Sequence, residues 1–432
     1  MKRSSGLPIN RDQTRTICYP AAALLAGLFA AQGLSTLQVY LSNKVLYRTL
    51  TAINDAGYLA VPNLKIMNRL QEFGPALYGG LFFTLSVGAG LSLLSFAAAW
   101  VWDRLFSRNT IPLIFLLFLW AGFLAAANFK GFSPLVSAYF FVIPAVVFWV
   151  TLRLMPPQTK PGPWFYRLIP LIPIALLACL WGTQMDGHLF INLRDKLLLS
   201  NPLGTRITDF YYKYTLYPAE VFKPLDQKTI KTCNLEQIKK RSFKRLLEGK
   251  LLNYDYLNTG EDGEVDLTIR KEGKTLILEN GGVVILRTTA NDFLSAPANI
   301  LKQFSSETDR YPLFRQFTFL SLLIGFPITL YLFLYTGILF LLCRFFDLRA
   351  SSVAASILCF SVGILLLMPV FHSKTVKIDK KDLNQTLESG RWQETSAVDD
   401  LIKKIEESDK WYDQWCAYKA LRALGWKQTG SR

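Results

Sequence analysis

Residues 76–102, ALYGGLFFTLSVGAGLSLLSFAAAWVW, contain no Asp, Glu, Lys, Arg or His. About 20 consecutive apolar residues are enough for a helix to cross the roughly 30 Å hydrocarbon core of a bilayer. Six other uncharged stretches are similarly apolar, and they cover residues 18–40, 111–128, 133–152, 168–184, 317–343 and 350–371. The chain is therefore predicted to be an α-helical polytopic membrane protein with about seven transmembrane helices.

The composition agrees with this class. Of 432 residues, 51% are hydrophobic and 19% are charged, against about 25% charged in a typical soluble domain. Intrinsic disorder is excluded, and the 27 Gly and 6 Cys exclude collagen-like and disulfide-scaffold chains. The net charge of +16 lies mainly between the hydrophobic stretches, where anchoring charges are expected. No segment is basic enough to predict nucleic acid as a partner.

The hydrophobic stretches divide the chain into soluble and membrane segments. Between the fifth and sixth stretches lie enough residues for an independent core. The predicted segments are a cytoplasmic N-terminus at 1–17, a five-helix membrane region at 18–184 with an interfacial loop at 42–75, an extracytoplasmic α+β domain at 185–312, a two-helix membrane region at 313–372, and a small helical tail at 373–432.

Lys and Arg in the loops predict the orientation, because they favour the cytoplasmic side of a membrane. They are more frequent in the segments that face the cytoplasm if the N-terminus is inside. Seven spans then place the 185–312 domain and the C-terminus outside, in the periplasm of a bacterium whose inner membrane holds the protein. A span split near Pro327 would return the tail to the cytoplasm.

Local patterns predict the elements of the soluble segments. In the loop 42–75, apolar residues recur at helical spacing and favour two short helices in the membrane interface. Asn234 is a candidate N-cap for a helix that continues to Leu247. Beyond it, residues 265–269, 275–278 and 283–286 alternate or run apolar between Gly-rich turns, which predicts a small antiparallel meander.

Two sets of residues in the 185–312 domain are candidates for binding lipid headgroups or a protein partner. The helix after Asn234 carries basic residues on one face, and anionic headgroups attract such charges. Aromatic residues crowd the segment 209–222, where they fit an interfacial belt, the domain core or a docking surface. The candidates are Lys239, Lys240, Arg241, Lys244, Arg245, Tyr211, Tyr212 and Tyr214.

Small residues at four-residue steps predict close helix packing inside the membrane. One stripe lies in the first hydrophobic stretch and the other in the second. They consist of Ala23, Gly27, Ala31 and Ser35, and of Gly80, Thr84, Gly88 and Ser92.

The tail contains the sequence Trp415-Cys416-Ala417-Tyr418-Lys419-Ala420-Leu421-Arg422-Ala423-Leu424-Gly425. It resembles the second helix of a HEAT-type repeat, in which small residues let paired helices pack closely before a Gly cap. The resemblance covers about residues 383–426, a single repeat, and implies a helix pair that binds a protein. One repeat does not bury its apolar face alone. The tail is therefore expected to pack on the 185–312 domain, the membrane surface or a partner.

The chain lacks the common catalytic motifs. It has no Gly-Lys-Ser/Thr phosphate loop, no Cys-x-x-Cys and no Gly-x-Ser-x-Gly, and no cofactor or metal is predicted. None of the seven stretches contains an ionisable residue of the kind that ion-coupled carriers use. Cys233 and Cys416 are free thiols or, in an oxidising compartment, a pair. Weak catalytic candidates are Asp55, Glu72, Asp186, His188 and His372.

Three functions remain open. The first is a non-enzymatic subunit or scaffold of a membrane complex, which binds protein partners through the outside domain and the tail as well as membrane lipids. The second is a transport component, either a permease for a lipid or hydrophobic solute or the partner of a separate ATPase. The third is a membrane-embedded transferase acting on a lipid-linked substrate, with Asp55 as its general base or metal ligand.

Overall fold

The computed structural model describes residues 11–156, 171–183, 202–260, 265–372, 394–409 and 411–426. The chain forms two compact units. The helical unit comprises residues 1–35, 81–209 and 313–376. The sheet unit comprises residues 36–80, 210–312 and 377–432. The predicted segments ran consecutively along the chain, whereas each unit is assembled from three separate parts of it.

Six of the described helical segments are long and apolar enough to cross a bilayer. The predicted fifth span is a shorter described helix of 12 residues, flanked by residues outside the described part. The helices are α1 (Arg11–Asp55), α2 (Leu64–Leu70), α3 (Phe73–Phe83), α4 (Ala89–Arg104), α5 (Thr110–Ala127), α6 (Pro134–Leu154) and α7 (Leu171–Gly182), and later in the chain α13 (Pro312–Leu320), α14 (Phe326–Leu342) and α15 (Leu348–His372).

Two of the long helical segments contain a π-helical turn. Thr84–Gly88 joins α3 to α4, and Ser321–Gly325 joins α13 to α14. Pro327 lies two residues after the end of the second turn, and a proline ring displaces the preceding helical hydrogen bonds. The span is not split near Pro327, because the segment Pro312–Leu342 continues through the π turn as one candidate span.

The predicted small-residue stripes lie close together in the helical unit. The Cα of Gly27 lies so near Ser92 that a Cβ at Gly27 would overlap that side chain, and Gly88 stands equally close to Ala31. The hydroxyls of Ser35 and Thr84 lie 3.1 Å apart, and Thr84 donates to the amide oxygen of Gln32 at 2.7 Å. Ala23, Ala31, Ser35 and Ser92 are fully buried. The first half of α1 therefore packs against α4 and the π turn before it.

The first part of the loop 42–75 is not a separate interfacial helix. It continues α1 to Asp55, which makes a helix of 45 residues, about 68 Å at 1.5 Å per residue. Its uninterrupted helical periodicity gave no signal for a break. The helix α2 starts where the side chain of Asn63 accepts a hydrogen bond from the amide of Ile66, which is the usual N-cap geometry.

The sheet unit contains five strands in the order β2-β1-β3-β4-β5. The first three are parallel neighbours, and β3, β4 and β5 form the predicted antiparallel meander with a bulge at Leu278/Glu279. The remaining elements are α8 (Pro202–Tyr214), α9 (Leu216–Glu220), a 3₁₀ turn (Leu225–Gln227), β1 (Lys231–Asn234), α10 (Arg241–Leu252), β2 (Tyr256–Asn258), β3 (Leu267–Glu272), β4 (Thr275–Asn280), β5 (Val283–Thr289), α11 (Ala290–Ser295) and α12 (Pro297–Thr308).

Asn234 is not the N-cap of the basic helix. It ends β1, and its side-chain oxygen accepts from the amide of Glu236 at 2.8 Å in a local turn. The helix α10 begins seven residues later at Arg241. The strand was missed because Lys-Thr-Cys-Asn is short and polar, although all four residues are buried in the centre of the sheet. Tertiary burial overrides such a weak local preference.

Both faces of the sheet are covered. Tyr256 and Leu257 are neighbours in β2 and therefore point to opposite faces. Tyr256 belongs to a core with the side chains of Leu247, Phe293 and Phe304 from the helices around the sheet. Leu257 belongs to a different core, formed with Leu50 and Ile53 of α1, Tyr58, and Ile66, Met67 and Leu70 of α2. The second half of α1 is thus an integral part of this unit.

The tail forms two helices, α16 (Glu394–Glu407) and α17 (Trp411–Ala423), and residues 373–393 of the tail lie outside the described part of the chain. The two helices pack on each other and on the sheet unit. Ile405, Ala417, Tyr418 and Leu421 are buried against Val61. Gly425 has a φ of +79°, the left-handed conformation with which glycine ends helices. The apolar stripe of the tail is therefore covered by its own chain.

Candidate binding cavity

A cavity of about 510 Å³ lies inside the sheet unit, within the usual size range of small-molecule sites, about 300–1,000 Å³. One wall is a single face of α1, and the opposite wall is the end of the sheet. The lining residues are Ser42, Val45, Leu46, Thr49, Leu50, Ile53, Val61, Glu220, Val221, Lys228, Thr229, Ile230, Val265, Asp266, Asn280, Gly281 and Trp415.

The wall from α1 is a regular helical stripe. Val45, Leu46, Thr49, Leu50 and Ile53 recur at steps of one, three and four residues, so they share one side of the helix. The stripe extends over about 16 Å of helix length from residue 42 to residue 53. Its accessible part is formed by Val45, Leu46 and Thr49, whereas Leu50 and Ile53 are buried in the core that α1 shares with α2. The cavity is therefore suited to an extended apolar group.

The opposite wall carries charged groups in fixed positions. The ammonium group of Lys228 lies 2.9 Å from a carboxylate oxygen of Asp266. The second oxygen of Asp266 accepts from the amide of Thr232 at 3.0 Å, and the Asn280 side chain donates to the Asp266 carbonyl at 2.8 Å. These contacts hold the Asp266 carboxylate at the rim of the sheet, where it faces the aliphatic stripe.

A second set of polar contacts joins the tail to this wall. The indole N–H of Trp415 donates to the hydroxyl of Thr229 at 3.2 Å. That hydroxyl lies 3.4 Å from Glu220, whose carboxylate also accepts from the ammonium group of Lys223 at 2.8 Å. Trp415 therefore contributes an aromatic surface to the cavity and is fixed in place by a neighbouring polar group.

The catalytic candidates from the sequence do not line this cavity. Asp55 is the exposed last residue of α1, and Glu72 is exposed between α2 and α3. Asp186 and His188 lie outside the described residues, as does the side chain of His372. Among the residues that the structure describes, no group of three or more His, Cys, Asp or Glu is arranged to hold a metal ion.

The two cysteines of the soluble segments are both free thiols. Cys233 is fully buried in the sheet core, and this burial raises the pKa of its thiol far above the ordinary value. The thiolate is the reactive form of cysteine. Cys233 is therefore expected to be chemically inert in the folded protein.

The aromatic candidates belong to the packing of the sheet unit. The ring of Tyr214 lies 5.2 Å from that of Tyr78 and 5.0 Å from that of Phe210. Tyr212 and Tyr214 both pack against the core that α1 and α2 share. Burial raises the pKa of Tyr211 to about 12, so its hydroxyl stays neutral at physiological pH.

The basic candidates remain on the surface. Lys239, Lys240, Arg241 and Arg245 are exposed, and Lys244 is half-buried. They lie before and within the first turns of α10, which has no acidic residue in its first turn. Positive charge at a helix N-terminus is unfavourable for the isolated helix.

Only some of the residues that line the cavity could be predicted from the sequence. The helical spacing of Leu46, Leu50 and Ile53 was a usable signal, since it identified one face of the second half of α1. Glu220, Lys228 and Asp266 are isolated charged residues in connecting segments, without any motif spacing. Their approach depends on sheet pairing over long sequence distances, which no local pattern reveals.

No protein-family model, no curated protein and no solved structure matches this chain.

Proposed function

We propose that this protein is a multi-pass membrane protein whose sheet unit binds an amphipathic molecule, a lipid or a lipid-linked compound, in the cavity beside α1. The observation that carries the proposal is the pairing of a long aliphatic stripe with a wall that bears Glu220, Lys228 and Asp266. An apolar chain would lie along α1, and its polar headgroup would meet the charged wall. This function is that of a lipid-handling or transport component.

The assembly of the sheet unit from three separate chain segments supports one particular membrane topology. Three segments form it, and direct contacts join them: Tyr58 donates to Glu248 at 3.0 Å, and Arg422 pairs with Asp255 at 2.8 Å. Segments that share one folded unit lie on the same side of a membrane. This requires an even number of crossings between residues 80 and 210 and between residues 312 and 377.

With α7 as a crossing helix, four spans separate the first two segments and two spans separate the last two. The packing of α7 supports this count, since Trp181 donates to the carbonyl of Leu323 at 2.9 Å and Gly363 contacts Leu177. We therefore place the N-terminus in the cytoplasm and the sheet unit with the tail outside, in the periplasm if the membrane is a bacterial inner membrane.

The binding function is tested by a substitution on α1 that places a larger side chain in the cavity. Val45 lines it and is 38% exposed, so Val45→Trp adds bulk to the cavity without overpacking the core. Leu41→Trp is the matched control, because Leu41 lies on the same helix, is 44% exposed and does not line the cavity. Both proteins are purified in mild detergent, and their bound lipids are measured by native mass spectrometry.

The wild-type protein and Leu41→Trp are expected to retain a stoichiometric lipid or lipid-linked molecule, and Val45→Trp is expected to lose it. If the wild type retains no such molecule after mild extraction, or if Val45→Trp retains as much as the control, the cavity is not a lipid-binding site.

A second candidate is the scaffold function, and the basic surface of α10 favours it. Four exposed cations at the start of a helix are costly for the helix alone, and an anionic partner would relieve this repulsion. The same preparations test it: a protein partner that co-purifies is expected to be lost when Lys239, Lys240, Arg241 and Arg245 are all changed to Gln. The matched control replaces the exposed Lys274, Lys302, Lys403 and Lys404.

A further inference from the structure

The tail closes the cavity at one point. Trp415 of α17 lines the cavity between α1 and the sheet, and its indole N–H donates to Thr229. One turn further along α17, Tyr418 and Leu421 are buried against Val61, which also lines the cavity. Movement of α17 away from the sheet unit would therefore uncover both Val61 and the interior of the cavity.

Two of the contacts that hold α17 meet at one carboxylate. Asp255 accepts from the Tyr418 hydroxyl at 3.1 Å and pairs with the Arg422 guanidinium at 2.8 Å. The same guanidinium donates to the carbonyls of Leu252 and Asn253 in the turn before Asp255. Asp255 itself has a φ of +62°, a conformation that residues other than glycine seldom adopt. In this backbone conformation the carboxylate of Asp255 contacts Tyr418 and Arg422 of the tail.

A second polar contact fixes the other end of the helix pair. The amide of Asn63 donates to the side chain of Gln414 at 3.0 Å, and the Asn63 side chain donates to the carbonyls of Ile405 and Glu406. Asn63 also caps α2, so the tail and the start of α2 share one residue. Between these points lies an apolar cluster in which Ile405, Ala417, Tyr418 and Leu421 are buried with Val61.

We propose that the helix pair α16–α17 is a lid over the cavity and that Asp255 is its latch. This inference rests on the proposed binding function, since it describes how the ligand enters and leaves. Directional polar contacts and the apolar cluster around Val61 hold the lid, whereas the sheet core beneath it is formed by a separate set of apolar residues. The lid therefore opens by loss of the contacts at Asp255 while the sheet unit stays folded.

The test compares the chemical accessibility of two thiols in one molecule. Val61→Cys places a thiol at a position that is 4% exposed and lies under the lid. The native Cys233 is fully buried in the sheet core and reports on unfolding of the unit. The full-length protein, with and without Asp255→Asn, is treated with a small methanethiosulfonate reagent. Mass spectrometry of peptides gives the labelling rate at each site.

Asp255→Asn keeps a side chain that tolerates positive φ but removes the charge that binds Arg422. Loss of one charge-assisted hydrogen bond, about 1.5 kcal/mol or more, corresponds to roughly a tenfold shift in population. Labelling at Val61→Cys is expected to be about tenfold faster with Asp255→Asn, while labelling at Cys233 is unchanged. Glu279→Gln, which breaks the sheet ion pair with Arg270, is the matched control and should change neither rate.

Equal labelling rates at Val61→Cys with and without Asp255→Asn would contradict the proposal that Asp255 holds a lid closed. A joint rise at Cys233 would also overturn it, because the tail would then leave only when the sheet unit unfolds. The comparison with and without Asp255→Asn requires no bound ligand. Failure of the lid is therefore distinct from failure of the binding function, which would appear as the absence of a retained lipid in the wild-type protein.

Discussion

Lys231 is a cation placed where charge is costly. It is 6% exposed in β1, between β2 and β3, and its ammonium group lies 4.9 Å from the centre of the Tyr256 ring. Desolvation lowers the pKa of Lys231, although Asp255, Asp266 and Asp226 oppose this shift. The folded protein therefore stabilises the charged form less well than water does, even with three carboxylates nearby.

This imbalance predicts the effect of removing the charge. Lys231→Met keeps the length of the side chain, loses a cation–π contact of about 1 kcal/mol and avoids the larger cost of a buried charge. We expect an unchanged or higher free energy of unfolding at neutral pH, measured by urea denaturation in detergent. Lys274→Met, at an exposed position, is the control and should stay within about 0.5 kcal/mol of wild type.

The pH dependence has a definite sign. Between the lowered pKa in the folded state and the ordinary value of 10.5, the unfolded chain binds more protons at Lys231 than the folded protein does. The contribution of this residue to stability therefore rises with pH across that window. The free energy of unfolding of Lys231→Met should lack this increase with pH. A loss of more than about 1 kcal/mol at neutral pH would show that the folded protein needs the charge.

At the scale of elements, the helix crossing between α4 and the second π turn depends on two glycines. A Cβ at Gly90 would overlap the side chain of Ser321, and a Cβ at Gly325 would lie 2.9 Å from the Cα of Gly90. Close approach of backbones is the main source of affinity between helices in a membrane, where lipid removes the hydrophobic drive. The crossing therefore has no room for a side chain at either position.

Gly90→Ala and Gly325→Ala are each expected to destabilise the protein by about 1–3 kcal/mol, the usual cost of overpacking. Thermal unfolding in detergent should show a lower transition temperature. Gly122→Ala and Gly337→Ala are matched controls, since they also lie in long apolar helices and have nothing within 4 Å of the new methyl group. If Gly90→Ala and Gly325→Ala lowered the transition temperature no more than the two controls do, the stability would not depend on close packing at this crossing.

Elements with a strong local pattern were predictable from the sequence. The uncharged stretches gave the long apolar helices, and alternation between Gly-rich turns gave the meander β3–β5. The strand β1 was missed because three of its four residues are polar, although all four are buried in the folded unit. The end of α1 was missed because length alone does not reveal where a helix leaves one compact unit and enters another.

At the scale of the whole molecule, the cavity could not be predicted because its walls come from four distant parts of the chain. Residues near 45, 225, 266 and 415 meet there, and their order along the sequence has no period. The predicted HEAT-like pair was expected to need a surface, but three surfaces fitted the pattern equally well. The choice among them depends on single contacts such as that of Arg422 with Asp255, which only the folded structure supplies.

The topology gives the last prediction. If residues 36–80, 210–312 and 377–432 form one folded unit, single cysteines in all three must react from the same side of the membrane. Suitable exposed positions are Asp55, Lys239 and Lys403, and the opposite side is sampled at Phe106 and Phe345 in the turns between long helices. Each is changed to Cys in a chain that carries Cys416→Ser.

Intact cells are treated with a membrane-impermeant maleimide before and after permeabilisation. The first three cysteines are expected to react in intact cells, because positive loops place the N-terminus inside and seven crossings follow. The cysteines at 106 and 345 should react only after permeabilisation. If the cysteine at 239 instead behaved like those at 106 and 345, α7 would not cross the membrane, and the contacts that join Tyr58 to Glu248 and Asn63 to Gln414 could not form in the living cell.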